Sequence, residues 1–282
     1  MIRILEVGPL ATVQDLGRRG WGHLGVPRSG PVDPPSHHFV NRLVGNAPGA
    51  ATIEILRGGM TVQFLTATTF ALGGAPVPAR LGRRPVPHDA TLWAAAGTTL
   101  TMEAPVLGLW SYLAIRGGID IAPQLGSRST DILSGLGPAP LTAGQEISAG
   151  DLIAGGPQGV DIPRALSHGR VELDITPGPR ADWFTPRSHE HLVGATWSLT
   201  QDTNRIAARL SGPALALREP AELPTEGIHL GSIQIPASGQ PIVHLANHPP
   251  TGGYPVIAIV TESTLPRLAQ AVPGAEIRFS PA

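Results

Sequence analysis

Short runs of alternating or β-branched apolar residues recur along the chain, and turns rich in glycine and proline separate them. Runs of four to eight such residues between turn signals predict β-strands. We therefore predict strands over residues 2–7, 52–56, 60–64, 69–72, 77–81, 98–102, 110–115, 171–175, 196–199, 240–245, 256–260 and 276–279. Many short strands at this spacing are typical of a mainly-β fold of barrels or sandwiches.

Two segments have helical periodicity instead. Residues 34–44 place apolar side chains on one stripe behind Asp33, which is suited to cap a helix that has Pro34 at its first position. Residues 264–270 form a second, shorter pattern that stops before Pro273. Each helix follows a loop rich in glycine and proline and precedes a strand. This repetition indicates two related halves.

The stretch from residue 149 to residue 170 is the most linker-like part of the chain, because it is rich in glycine and proline and has no sustained periodicity. We place a domain boundary there, which predicts domains over residues 1–165 and 166–282. The sequence leaves open whether amino-terminal strands cross into the second domain.

The composition excludes several kinds of chemistry. The 282 residues include no cysteine, and all 20 basic residues are arginine. Without cysteine there are no disulfides, thiolate nucleophiles or Cys-ligated metals, which fits a reducing cytosol. Without lysine there is no Schiff base, no phosphate-loop lysine and no covalently attached biotin on this chain.

Charge and hydropathy narrow the class of partner. The formal net charge is −1, and the arginines are scattered among 21 acidic residues, which argues against a nucleic-acid surface. No apolar stretch reaches the ~18 residues of a membrane span, and the amino terminus lacks the apolar core of a signal peptide. We expect a cytoplasmic protein that binds neither nucleic acid nor membrane.

The first candidate site residues lie between positions 12 and 46, in a run rich in glycine and arginine. Gln14, Asp15 and Arg18 are close enough to converge, and the carboxylate can orient the guanidinium toward an anionic substrate. The alternative is that Asp15 and Arg18 pin the loop. The backbone from Gly25 to Gly30, which carries Arg28, is either an amide cradle for a carboxylate or phosphate or a tight turn.

Two later glycine-rich runs add guanidinium groups and hydroxyls. One contains Arg116, Gly117 and Gly118; the other contains Ser127, Arg128 and Ser129. Both are suited to a carboxylate or phosphate, although Asp131 alone can satisfy Arg128. The serines lack a recognisable His and Asp spacing and a nucleophile elbow, so a hydrolase triad is not expected.

In the second half, a rigid aromatic lies next to bare backbone at Thr251, Gly252, Gly253 and Tyr254. Gln234 adds an amide that can hydrogen-bond the edge of a lactam or a urea-like group. The alternative is a pair of hairpin turns.

One pair of histidines is a candidate for binding a metal. His189 and His191 would face the same side of a strand, but no third ligand is placed by the sequence, so we expect no metal site.

These stretches, in this order, resemble the family of the 5-oxoprolinase C subunit, also called allophanate hydrolase subunit 2, KipA-like or biotin-dependent carboxyltransferase. The resemblance spans nearly the whole chain. The matching residues are Gln14-Asp15-x-Gly17-Arg18, Gly25-Val26-Pro27-x-Ser29-Gly30, Asp33, Asn41, Leu43-Val44-Gly45-Asn46, Glu54, Arg116-Gly117-Gly118, Gly126-Ser127-Arg128-Ser129-Thr130, Arg205, Arg209-Leu210, Ile233-Gln234-x-Pro236-x-x-Gly239-Gln240-Pro241, Thr251-Gly252-Gly253-Tyr254-Pro255 and Leu268-Ala269-Gln270.

The resemblance implies two cyclophilin-like β-barrel domains. It also implies membership of an ATP-dependent 5-oxoprolinase, an amidohydrolase complex that opens the lactam of 5-oxoproline to glutamate, with this chain inactive alone. ATP with magnesium would act at the level of the complex, and the partners would be a B-type (KipI-like) 5-oxoprolinase chain and an A-type chain. The small anionic substrate would contact Arg18, Arg28, Arg116, Arg128 and Gln234.

Two other functions remain open. One is the carboxyltransferase component of a biotin-dependent, urea carboxylase-like system. The other is a KipA-type regulatory protein that sequesters a kinase inhibitor. Asn247 and His248 stand where the family often has an Asp-Arg pair, a departure that leaves the substrate open.

Overall fold

The computed structural model describes residues 1–159, 166, 169–219 and 223–282. Its backbone divides into two compact units. The first comprises residues 1–19 and 29–166, and the second comprises residues 20–28 and 167–282. The segment 20–28 groups with the second unit, although the predicted domain boundary puts it in the first. A glycine-rich loop has no periodicity, so its sequence does not show which unit it packs against.

The described residues of the first unit form twelve strands and one α-helix. In chain order they are β1 (Ile2–Glu6), β2 (Leu10–Gln14), α1 (Pro34–Leu43), β3 (Thr52–Leu56), β4 (Met60–Phe64), β5 (Thr68–Gly74), β6 (Ala79–Leu81), β7 (Arg84–Val86), β8 (Thr91–Ala94), β9 (Thr99–Met102), β10 (Trp110–Ile115), β11 (Ile119–Asp120) and β12 (Glu146–Ala149).

These strands form two sheets with a shared core. One sheet has the order β11-β12-β1-β4-β9-β6-β7, and the other has the order β2-β3-β10-β5-β8. Buried apolar side chains from both sheets form one cluster, which includes Ile4, Ile53, Phe64, Phe70 and Leu113. Helix α1 begins as predicted, since Pro34 occupies its first turn and the Asp33 carboxylate accepts a hydrogen bond from the backbone N–H of Ser36.

The second unit is built around a closed barrel. Its elements are β13 (Arg170–Pro177), α2 (Pro186–Gly194), β14 (Trp197–Leu199), β15 (Ala207–Ser211), β16 (Glu226–Gly227), β17 (Ser232–Gln234), β18 (Ile242–His244), β19 (Thr251–Gly252), β20 (Val256–Val260), α3 (Leu265–Ala269) and β21 (Glu276–Pro281). The barrel order is β13-β20-β17-β18-β15-β14-β21, and the parallel pair β13 and β21 closes it. A separate cluster that includes Leu173, Trp197, Val243, Leu268 and Phe279 fills its core.

The expected mainly-β fold class is confirmed. Several short strands, among them β2, β8, β12 and β15, lie outside the predicted ranges. One α-helix was also not expected: residues 186–194 form helix α2, with Thr185 as its cap and Pro186 at its start. His189 and His191 therefore lie on a helix and not on a strand. Two residues along a helix correspond to a rotation of about 200° around its axis, so the two side chains point to nearly opposite sides. No described helix has the length and apolar character needed to cross a membrane.

Candidate functional site

Asp15 is the centre of a buried polar cluster in the first unit. The hydroxyls of Ser127 and Ser129 donate to its Oδ1 at 2.5 and 2.7 Å, and the backbone N–H of Gly17 donates to the same oxygen at 2.9 Å. The backbone N–H of Arg128 donates to Oδ2 at 2.5 Å. A carboxylate has about four lone-pair sites. These four donors therefore use the acceptor capacity of Asp15, and three of them hold the 127–129 loop.

Arg18 lies beside this loop and is only 2% exposed. Its Nη2 donates to the carbonyl oxygen of Ser129 at 2.5 Å, whereas Nε and Nη1 have no hydrogen-bond partner in the described part of the chain. Burial lowers the pKa of the Arg18 guanidinium, and the charges of Asp15 and Asp131 oppose that shift. A group with so high an ordinary pKa stays charged, so Arg18 is a buried cation with unused donors.

Three neighbouring side chains also have unused polar atoms. Gln14 donates through Nε2 to the carbonyl oxygen of Thr130 at 3.0 Å, but its Oε1 accepts nothing within the described residues. The hydroxyl of Thr130 and Nε of Arg128 are likewise buried without a partner there. Asp131 does not satisfy Arg128 as the alternative proposed. Its carboxylate instead accepts from Ser29, which has a positive φ of 57°, and from the backbone of residues 133 and 134.

The structure places Arg116 in a different network from Asp15. Its guanidinium donates to the carbonyl oxygens of Val44 and Gly155 at 2.6 and 2.9 Å. The N–H of Gly117 donates to Asn46 Oδ1 at 2.7 Å, and Gly117 and Gly118 have positive φ. These contacts tie a turn to the carboxyl end of α1. Arg18 and Arg128 thus share one cluster, and Arg116 makes none of its contacts there.

The backbone at Gly25 is occupied by its own turn. Residues 22–24 form a short 3-10 helix, and the N–H of Gly25 donates to the carbonyl oxygen of Gly22 at 2.9 Å. The N–H of Val26 donates to the carbonyl oxygen of Trp21 at 3.4 Å. This arrangement matches the tight turn rather than the amide cradle. Gly25 and Arg28 belong to the second unit, whereas Ser29 belongs to the first.

In the second unit Gln234 acts as a brace. Its Oε1 lies 2.7 Å from His244 Nε2, and its Nε2 donates to the carbonyl oxygen of Tyr254 at 2.9 Å. Burial, followed by the charges of His248 and Arg209, lowers the pKa of His244 to about 4. His244 is therefore neutral at pH 7 and donates through Nε2 to Gln234. A Gln that fixes a histidine and a loop at once has little capacity left to hydrogen-bond a ligand.

The loop after His248 carries the remaining candidates. Strand β19 (Thr251–Gly252) pairs with β16 (Glu226–Gly227), and Arg180 forms an ion pair with Glu226. A Cβ at Gly252 would lie 2.5 Å from Ile228 Cδ1 and 2.9 Å from Gln234 Nε2, so both side chains would have to shift. Gly253 and Tyr254 line a cavity of about 620 Å³ together with Leu215, Leu217, Leu223 and Ile235. Tyr254 is half exposed at its edge.

The sequence did not single out His244, because a histidine inside an apolar strand run carries no local signal of function. Thr130 was recognised only as part of a motif. The histidines of α2 make local contacts: His189 Nε2 lies 2.9 Å from the carbonyl oxygen of Ala181, and Arg187 Nε lies 3.4 Å from His191 Nε2. Across residues 1–159, 166, 169–219 and 223–282, no three or more His, Asp or Glu side chains come together to hold a metal ion.

Comparison with known proteins defines the class. Residues 24–281 match the family described as carboxyltransferase domain, subdomains A and B. The chain belongs to this family. It is 36% identical over 283 residues to the C subunit of 5-oxoprolinase from Escherichia coli strain K12, covering 99% of this chain and 90% of that protein. It is 31% identical to urea amidolyase of Lachancea kluyveri, covering 99% of this chain and 17% of that protein.

Solved structures of similar proteins match this chain over nearly its whole length. A crystal structure of TTHA0988 superposes with a TM-score of 0.90 at 34% identity, over 99% of this chain and 55% of that chain. The urea amidolyase of K. lactis superposes with a TM-score of 0.92 at 27% identity, over 99% of this chain and 18% of that chain. This chain therefore spans about half of the first structure and under a fifth of the second. The resemblance inferred from the sequence motifs is confirmed.

Proposed function

We propose that this chain is one component of an ATP-dependent 5-oxoprolinase complex that hydrolyses the lactam of 5-oxoproline to glutamate. One observation carries the proposal: the 36% identity with the C subunit of a 5-oxoprolinase extends over 99% of this chain and 90% of that protein. The urea amidolyases match over the same part of this chain, but that part is a small fraction of their length.

An unstrained amide is a poor electrophile near neutral pH, so its hydrolysis requires activation. ATP supplies this activation when it phosphorylates the amide oxygen, and the overall reaction converts 5-oxoproline, ATP and water to glutamate, ADP and phosphate. The role left to this chain is to bind and orient a small anion, for which fixed guanidinium groups and positioned amides are suited. Arg18 and Arg128 are the groups in the first unit that are placed for it.

We propose that ATP and magnesium act at the level of the complex. The proposed partners are a B-type (KipI-like) 5-oxoprolinase chain and an A-type chain, and we expect this chain alone to be inactive.

The test is reconstitution. All three chains are mixed with ATP, magnesium and 5-oxoproline, and glutamate and ADP are measured together. We expect one glutamate per ADP, and no glutamate when this chain is omitted. Failure of the complete mixture to form glutamate would contradict the proposal.

A second function is favoured by the family match itself. A carboxyltransferase component of a urea carboxylase-like system would transfer a carboxyl group from biotin to urea. The biotin must be attached to a carrier on another chain because lysine is absent here. In a parallel arm, a carboxylated biotin carrier is added with urea in place of ATP and 5-oxoproline. Loss of the carboxyl group from the carrier only when both this chain and urea are present would support this second function.

A further inference from the structure

Five buried polar atoms without a described partner lie on two neighbouring segments of the first unit. They are Gln14 Oε1, Arg18 Nε, Arg18 Nη1, Arg128 Nε and Thr130 Oγ1. The two segments are joined directly, because Arg18 donates to the carbonyl oxygen of Ser129 and Gln14 donates to that of Thr130. Buried polar groups in folded proteins are nearly all hydrogen-bonded, and exceptions at one place indicate a missing water, ion or ligand.

The acidic groups of this region are already engaged. Asp15 accepts from three donors on the 127–129 loop and from the N–H of Gly17, none of them a guanidinium. The Asp131 carboxylate accepts from Ser29 and from the backbone N–H groups of Leu133 and Ser134. The charge of Arg18 is thus partly compensated at a distance, while the hydrogens on its Nε and Nη1 have no acceptor among the described residues.

The unused atoms are of two kinds. Guanidinium hydrogens on Arg18 and Arg128 are donors for an anion. Gln14 Oε1 is an acceptor, and Thr130 Oγ1 can donate or accept. A ligand that presents a carboxylate with an N–H nearby uses both kinds, whereas inorganic phosphate offers Gln14 no N–H.

We infer that this cluster, formed by Gln14, Arg18, Arg128 and Thr130, is the subsite for the carboxylate of a small cyclic amide or amino acid. The identity of that ligand as 5-oxoproline rests on the proposed function. Arg128 is half-buried, whereas Gln14, Arg18 and Thr130 are buried.

The test compares 5-oxoproline with 2-pyrrolidinone, which has the same ring without the carboxylate. In the reconstituted complex, Arg128→Gln should raise the KM for 5-oxoproline about 10- to 100-fold, as loss of a charged hydrogen bond predicts. The preference of the complex for 5-oxoproline over 2-pyrrolidinone, measured as the ratio of the two kcat/KM values, should fall by a similar factor. Arg80→Gln, an exposed arginine on β6 of the same unit, is the matched control and should change neither value.

Arg18→Gln and the milder Arg18→Lys are measured with their thermal melts, because Arg18 is buried. Lys should restore part of the affinity that Gln loses, since it keeps the charge without the planar group. Two results would overturn the inference and leave these arginines a structural role. One is an equal loss of kcat/KM with both substrates, and the other is an unchanged KM for 5-oxoproline in Arg128→Gln and in a folded Arg18 variant.

Equilibrium binding separates this inference from the proposed function. The isolated chain is titrated with 5-oxoproline, 2-pyrrolidinone or inorganic phosphate by calorimetry. We expect binding of 5-oxoproline alone, weakened in Arg128→Gln. If that binding is found while the complete complex forms no glutamate, only the proposed function fails. If phosphate binds with the same dependence on arginine, or if 5-oxoproline does not bind, the carboxylate subsite is wrong.

Discussion

Among the described residues, burial lowers the pKa of two histidines to about 4, one in each unit. His37 is fully buried on α1, with Nδ1 2.9 Å from the hydroxyl of Thr52. Burial and then the charge of His38 lower its pKa to about 4, although the Pro48 carbonyl and Asp15 oppose the shift. His244 in the barrel has a pKa lowered to about 4 by burial and by its charged neighbours. Both side chains are therefore uncharged packing groups at neutral pH.

This burial predicts acid sensitivity. The unfolded chain takes up a proton at each histidine below pH 6.5, while the folded chain resists protonation until about pH 4, so stability falls as pH drops through this window. Between pH 7 and 5, each histidine should cost about 2 kcal/mol of unfolding free energy. His37→Gln should remove its share of that loss, measured from urea unfolding at both pH values. The exposed His23→Gln should retain the full loss, and an equal slope in both variants would contradict the assignment.

At the level of elements, the loop that carries the candidate subsite is closed by a glycine. A Cβ at Gly137, where φ is +80°, would lie 2.1 Å from the carbonyl oxygen of Ser129 and 2.5 Å from Arg18 Nη2. Gly135, two residues earlier, has a similar φ of +73° and nothing within 4 Å of the same position. The two glycines have the same backbone requirement but different surroundings.

Alanine substitutions at these two positions separate the cost of a left-handed backbone from the cost of a steric clash with neighbouring atoms. Gly135→Ala should cost about 1 kcal/mol, the penalty of a left-handed backbone. Gly137→Ala should cost roughly 1–3 kcal/mol more, as expected when extra volume is forced into packed structure. Thermal melts of the two variants give the difference. Equal melting temperatures would show that the 127–137 loop moves aside without cost.

The sequence was sufficient for most strands and two of the three helices. Strands β3, β4, β10 and β20 have the predicted bounds, because apolar runs between turns leave few alternatives. Helix α2 was missed because only Ser188 and Leu192 of its nine residues are buried, which leaves no apolar stripe to recognise. The glycine loops were evident, but their pairing was not: Asp15 and Ser127 are 112 positions apart, and no local pattern connects a carboxylate to a distant hydroxyl.

For the whole molecule, the two units have separate apolar cores, one around Phe64 and one around Phe279. Cores that share no side chains can lose their packing independently, as cooperative substructures do. Phe64→Ala and Phe279→Ala should each cost about 3–5 kcal/mol. Amide hydrogen exchange should then accelerate in residues 1–19 and 29–159 for the first variant, and in residues 20–28 and 169–282 for the second. Acceleration throughout the chain in both variants would show a single cooperative unit.

The short segment 20–28 is synthesised long before the rest of the unit to which it belongs. The rest of that unit begins at residue 167 and includes β21. At 5–20 residues per second, the about 250 residues between the segment and the last strand delay completion of the second unit by roughly 10–50 s. During that interval segment 20–28 has been synthesised, but the strands that complete the second unit have not. Slow translation near the carboxyl terminus should therefore lengthen the exposure of this unit to aggregation and proteolysis more than that of the first.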